Sequence, residues 1–330
     1  NGEIAIVIGT HSLIQKSVKF KHLAFTIIDE QHRFGVAQRR SLVHRDAEAG
    51  QIAPHLLSMT ATPIPRTLAL TIYGDLDLTL LDAMPKGRKP TITEIIAPAG
   101  RANVYEKIRT ELAAGRQAYV ICPRIDDPDP EKENAIQAKS VKAEAKRLKE
   151  NVFPEYEIDI LHSKETPKEK AETMERFAKG KIDILVATSV VEVGVNVPNA
   201  TIIVIEGAER FGLAQLHQLR GRVRRSEHQS YCYVFTESKS AATRDRLGAL
   251  KTAKNGFELA ELDLKLRGAG ELSGKKQWGI SDLAMEAIKN IKMVEAARAE
   301  AQNILSKNSL EKYPLLKERV VNETKKIHFE

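Results

Sequence analysis

Short apolar, β-rich runs that alternate with helix-length amphipathic stretches leave this chain few folds. The runs are Ile4–Ile8, Ala24–Ile28, His55–Met59, Ala118–Cys122, Glu157–Leu161, Ile182–Ala187, Thr201–Ile205 and Ser230–Phe235. A strand with one wet face alternates apolar and polar residues. A continuous apolar run is what a parallel strand carries when helices cover both of its faces. Between the runs, Val104–Ala114, Lys139–Asn151, Pro167–Ala178 and Leu213–Arg225 have the length and spacing of helices. Strand and helix in alternation predict an α/β fold of parallel sheets flanked by helices.

The organisation changes twice along the 330 residues. Asp82–Pro98 holds three prolines and several basic residues, which reads as a linker. It divides residues 1–90, the rear part of a first α/β domain, from residues 91–237, a complete second one. After Thr236 the strand pattern fades, and residues 238–330 read as helical. Ala241–Arg267 and Ile280–Leu305 are the helix candidates, divided by the glycine-rich stretch from Arg267 to Gly279. The chain opens on Asn-Gly and runs directly into a strand pattern, which reads as a fragment of something longer.

A net charge of +7 suits a partner rich in phosphate, although a solvated basic surface has the same balance. Cys122 and Cys232 sit inside apolar runs and read as buried hydrophobes of a cytoplasmic protein. No uncharged apolar run is long enough to span a membrane.

Several strand candidates end alike. Ile4–Ile8 runs into Gly9, Thr10 and His11; Ala24–Ile28 into Asp29, Glu30, Gln31 and His32. His55–Met59 runs into Thr60, Ala61 and Thr62; Ile182–Ala187 into Thr188 and then Glu192 and Gly194. Any one cluster could be a turn or a helix cap. Together they lie where open parallel sheets bind ligands, beyond the carboxyl ends of the strands. Adjacent carboxylates there suit phosphoryl transfer to water, with Asp29 facing Mg²⁺ and Glu30 facing the attacking water. Gln218, Arg222 and Arg225 follow i, i+4, i+7, so a helix sets one amide and two guanidinium groups on one face. That face fits a γ-phosphate, and equally a solvated basic helix. Gly221 inside the helix candidate costs about 1 kcal/mol relative to Ala, which suggests a close approach of the backbone to something.

These residues resemble the motifs of superfamily 2 helicases and translocases: Asp29-Glu30-Gln31-His32 is similar to the Walker B box, Thr60-Ala61-Thr62 to motif III, and Gln218-x-x-Gly221-Arg222-x-x-Arg225 to motif VI. The stretches "DEQHRFGVAQR", "SMTATPIPRTLALTIYGDLDL", "AERFGLAQLHQLRGRV" and "ELDLKLRGAGEL" narrow the resemblance to the RecG family, bacterial ATP-dependent DNA translocases that remodel stalled forks and branched junctions. The resemblance implies two RecA-like domains with ATP and Mg²⁺ between them. Asp29, Glu30, Gly194, Arg222 and Arg225 would serve the nucleotide, with Gln31, His32 and Gln218 in the same catalytic set. Gly9, Thr10, His11, Thr60, Thr62, Thr188 and Glu192 would link DNA to nucleotide. Arg267 and Lys276 would belong to a translocation loop. It further implies branched double-stranded DNA and a single-strand-binding protein as partners, and a monomeric state. No G-x-x-x-x-G-K-[ST] loop occurs in the 330 residues, so the phosphate-cradling loop is expected to precede residue 1. A transcription-repair coupling factor, another motor of the superfamily, and a non-catalytic nucleic-acid-binding module are the alternative readings.

Overall fold

The structure, a computed structural model, describes residues 4–15, 18–31, 34, 54–61, 77, 79–81, 87, 89–123, 140–188, 197–223, 227–253, 255–272, 291–307 and 310–324. They fall in two compact units. One draws on Asn1–Pro63, Thr67–Leu76 and Ile280–Glu330, the other mainly on Asp77–Gly279.

In the first unit, β1 (Phe25–Ile28) and β2 (His55–Ser58) pair in parallel, Phe25 beside His55 and Ile28 beside Ser58. The expected burial on both faces fails here: Ile28 is buried, but Phe25 and Ile27 are 52% and 57% exposed. The run Ile4–Ile8 was expected to be a strand and is not one. Ile4, Ile6, Val7 and Ile8 are exposed, and among the described residues no strand pairs with the run, so apolar composition alone leaves it irregular.

The second unit is built on a parallel sheet. Its strands are β3 (Ile92–Ile96), β4 (Gln117–Ile121), β5 (Ile158–Leu161), β6 (Ile184–Ala187), β7 (Ala200–Ile205) and β8 (Tyr231–Phe235), in the order β3-β8-β7-β4-β6-β5. β3 is a correction. It lies inside the stretch read as linker and pairs as an edge strand with β8, Ile92 beside Tyr231 and Ile96 beside Phe235. β4, β6 and β7 are wholly buried, as their largely apolar runs require, Gln117 and Thr201 included.

Helices cover both faces. α1 (Arg101–Ala113) and α2 (Val141–Arg147) set Val104, Ile108, Leu112 and Val141 against Val120, Ile184 and Val204. A π-type turn, Leu148–Val152, continues α2 and brings Leu148 onto the same face. On the other face lie α3 (Pro167–Ala178), α4 (Leu213–Gly221), α5 (Ala241–Thr252) and α6 (Gly256–Leu272), with Phe177, Leu216, Leu219, Leu247 and Leu259 over Leu185 and Ile203. Each such side chain contributes about 1.5–3 kcal/mol on burial. The stretch read as one helix over Ala241–Arg267 is two, α5 and α6, and both pack on the second sheet. α7 (Ile291–Ser306) and α8 (Pro314–Thr324) belong to the first unit. α8 falls within residues 238–330, which read as helical, although no helix candidate was placed at its position.

α3 begins where its sequence dictates. Thr166 caps the amide of Glu169, and Glu169 returns a carboxylate to the amide of Thr166 at 2.7 Å. Those hydrogen bonds hold the Glu169 carboxyl below its usual range.

Cys122 and Cys232 are both buried, and burial pushes the Cys232 thiol up to about 12. Thiolates react and thiols do not. Neither cysteine is therefore expected to react with a water-soluble disulfide reagent until the unit unfolds. Timed labelling in native buffer and in denaturant tests this, and prompt native labelling of Cys232 would contradict the packing. No described helix is long and apolar enough to cross a membrane.

Candidate functional site

At the exit of β1 the chain makes an abrupt change of direction. Glu30 adopts φ 51°, the described non-glycine residue with a left-handed backbone. Such a conformation costs on the order of 1–3 kcal/mol and persists only where neighbours enforce it. The neighbours are visible. The Asp29 carboxylate accepts the Glu30 amide at 2.8 Å. Next in the chain, the Gln31 amide donates to the Met59 carbonyl at 3.0 Å, and Ser58 Oγ donates to Gln31 Oε1 at 2.6 Å. The Asp-Glu-Gln stretch is thus bolted to the exit of β2, immediately before Thr60. Ser58 had no place in the sequence reading, because its partner lies 27 residues away.

The donor set decides what this exit can hold. Asp29 is exposed and Glu30 half-buried, and one Asp29 oxygen already accepts an amide. Among the described residues no three or more His, Cys, Asp or Glu gather into a cage. One or two carboxylates completed by water and phosphate oxygens suit Mg²⁺, which retains much of its hydration, and do not suit a structural zinc.

In the second unit, Thr188 follows β6 directly and is buried. The helix candidate around Gln218 is realised as α4, with Arg222 continuing in helical conformation. Leu213, Leu216, Leu219 and Arg220 form its buried face. Gln218 and Arg222 lie one turn apart and half-buried on another face. Gly221 closes the helix rather than sitting mid-helix, and a Cβ added there meets nothing within 4 Å. The expected close approach is absent among the described residues. Gly221 is exposed at the helix end, without the left-handed backbone that would call for a glycine.

What anchors α4 was not legible in the sequence. Arg246 of α5 donates to the carbonyls of Phe211 and Glu209 at 2.7 and 2.8 Å, gripping the loop that leads into α4. Arg220 donates to the Leu250 carbonyl at 2.6 Å. Gly207 starts that loop at φ 58°, which a glycine adopts without strain. Before the loop, Glu206 is 1% exposed and receives a bidentate pair from Arg101 at 2.7 and 2.8 Å. Burial opposes the Arg101 charge, but the Glu206 carboxylate more than offsets it and raises the guanidinium pKa.

The remaining expected residues separate cleanly. Gly9 packs against Leu13, and the Thr10 and Ser12 hydroxyls lie 3.2 Å apart. Thr60 is exposed beside β2. His32, Thr62, Glu192, Gly194, Arg225 and Lys276 lie outside the described residues, as do the side chains of His11 and Arg267.

Three family models match the chain. They are the helicase conserved C-terminal domain over residues 102–227, domain 3, C-terminal, of the ATP-dependent DNA helicase RecG over residues 253–327, and the DEAD/DEAH box helicase over residues 1–71. The chain is 46% identical over 328 residues to the ATP-dependent DNA helicase RecG of Synechocystis sp., covering 99% of this chain and 38% of that protein. It is 44% identical over 315 residues to that of Bacillus subtilis, covering 95% and 45%. A solved structure of RecG bound to a three-way DNA junction superposes with a TM-score of 0.66 at 40% identity, over 89% of this chain and 36% of that one. A structure of Mss116p bound to single-stranded RNA and AMP-PNP, at 17% identity and a TM-score of 0.51, shares the fold alone. The chain spans less than half the length of these RecG relatives.

Proposed function

The chain belongs to the RecG family of ATP-dependent DNA helicases, and on that premise we propose that it is the motor part of a translocase that remodels branched double-stranded DNA at the expense of ATP. In this reading residues 1–90 are the rear of the first motor domain, residues 91–237 the second, and residues 238–330 carry the translocation hairpin and C-terminal helices. The protein works as a cytoplasmic monomer, with a single-strand-binding protein as a further partner.

The observation that carries the reading is the wiring of Asp29, Glu30 and Gln31 to the exit of β2. Asp29 would hold Mg²⁺ through water. The cation, when bound, neutralises charge on the phosphates. Glu30 orients the attacking water and takes its proton. Arg222 and Arg225 supply guanidinium donors to the γ-phosphate, where planar forks match the transferring group. Gln31 senses occupancy and passes it through Ser58 and Met59 to Thr60 and Thr62. His32 and Gln218 complete the nucleotide-facing set, and Gly194 brings backbone close to it. Gly9, Thr10, His11, Thr188, Glu192, Arg267 and Lys276 meet or sense the DNA. The grip of Arg246 on the loop before α4 supports the coupling of this helix to the hairpin that follows.

Two measurements test the reading. The full-length protein should unwind a three-way junction only with ATP and Mg²⁺, and branched DNA should stimulate its ATP hydrolysis more than linear duplex. Equal stimulation by both, with no unwinding, would overturn it. The 330-residue chain by itself should hydrolyse no measurable ATP, since it carries no phosphate-cradling loop. Turnover by the purified chain that Glu30→Gln abolishes would refute that.

A further inference from the structure

β5 and β6 run in parallel with Leu161 beside Ala187, and the Thr188 amide donates to the Leu161 carbonyl at 3.3 Å. His162 and Thr188 are therefore the next rung, just past the carboxyl ends of two neighbouring strands. Both residues are 8% exposed. His162 Nδ1 and Thr188 Oγ1 are buried, and among the described residues neither has a hydrogen-bond partner. Two orphaned polar atoms on neighbouring strand exits are costly, and native proteins seldom keep them without a use. Their place at the outlet of a parallel sheet is where anionic ligands settle.

We propose that His162 and Thr188 form a paired donor site for one phosphate oxygen, a site that rests on the motor reading above. His162 is the new member. The loop that follows it is held still. The Glu165 carboxylate accepts the His162 amide at 3.2 Å, Lys170 Nζ donates to the Ser163 carbonyl at 3.0 Å, and the Thr166–Glu169 capping box fixes the turn into α3. Ser163 and Lys164, next along this loop, are exposed, so the loop lies open to a ligand. Glu165 on the loop and Glu169 in the first turn of α3 carry carboxylates, and Lys164 and Lys170 are the lysines of the same segment. Within this proposal a phosphate oxygen at the strand exits accepts from both atoms. That oxygen belongs either to the DNA backbone or to the nucleotide, and the chemistry of recognition is the same.

Amide substitutions separate a site from mere packing. His162→Asn keeps a donor near the position of Nδ1, whereas His162→Gln moves it to the position of Nε2. With the full-length protein, a labelled three-way junction titrated by anisotropy and a fluorescent ATP analogue titrated separately are the two probes. His162→Asn should bind the junction within about three-fold of wild type and His162→Gln about ten-fold more weakly, the loss of one charge-assisted hydrogen bond, with analogue affinity unchanged. A selective loss of analogue affinity would keep the site and assign its phosphate to the nucleotide. If both amide variants bind both probes like wild type, or lose affinity equally, the pair is packing and the proposal falls. Failure of the wild-type protein to bind the junction would instead overturn the motor reading, and with it a DNA phosphate at this site.

Discussion

Glu30→Gln in the full-length protein should lower DNA-stimulated ATP hydrolysis by at least about 10²-fold while leaving nucleotide affinity within a few-fold of wild type. The size follows from the contribution of a positioned general base, about 10²–10⁴ in rate. The selectivity follows from geometry. The φ of 51° at this residue is enforced by the Asp29 carboxylate on the Glu30 amide and by the bonds that fix Gln31 to β2. None of those contacts uses the Glu30 carboxylate. An isosteric amide therefore leaves those bonds standing and removes the proton acceptor. Steady-state turnover with a coupled assay, beside analogue binding, provides the check. Turnover within three-fold of wild type would remove Glu30 from the chemistry, and a parallel collapse of nucleotide binding would mean that the frame had broken.

Glu206→Gln should destabilise the second unit by about 3 kcal/mol or more, the cost of leaving a buried charge without its counterion. Arg101 is 15% exposed, lies 4.4 Å above the Phe235 ring, and donates a bidentate pair to Glu206. Glu237 stands 3.9 Å from Arg101 but is mostly solvated, so it cannot replace the lost carboxylate. For a unit of this size the melting temperature should fall by roughly 6–12 °C. The double variant Arg101→Met with Glu206→Leu should recover most of that loss, because a buried pair replaced by apolar groups is near neutral. Calorimetry of the three proteins decides it. A single variant as stable as wild type would mean that water reaches the guanidinium.

The sheet of the second unit was legible because burial on two faces writes itself into consecutive residues: Ile184 to Ala187 and Ile202 to Ile205 are apolar without a break, and both lie in wholly buried strands. β3 escaped for the opposite reason. As an edge strand with the sequence Ile-Thr-Glu-Ile-Ile, set among prolines and lysines, it carries little of that signature. Ile4–Ile8 misled in the other direction, since an apolar run is a strand only when a neighbour is there to bond it. The carboxylates and the amide at the β1 exit could be picked out because their chemistry is local in sequence. Ser58, Arg246, Arg101 with Glu206, and His162 as the neighbour of Thr188 could not. Each acquires its role from a partner tens of residues away, and no spacing rule connects an arginine in α5 to two main-chain carbonyls before α4.

The edge position of β3 has a consequence for how this chain leaves the ribosome. Its partner β8 is synthesised about 140 residues later. Until then the segment from Ile92 to Ile96 has no sheet to join, and the helix-covered strands β4 to β7 must collapse with one margin bare. Truncation anywhere before Phe235 would leave that margin open to pairing with a second nascent chain, so cotranslational aggregation should set in sharply at that length.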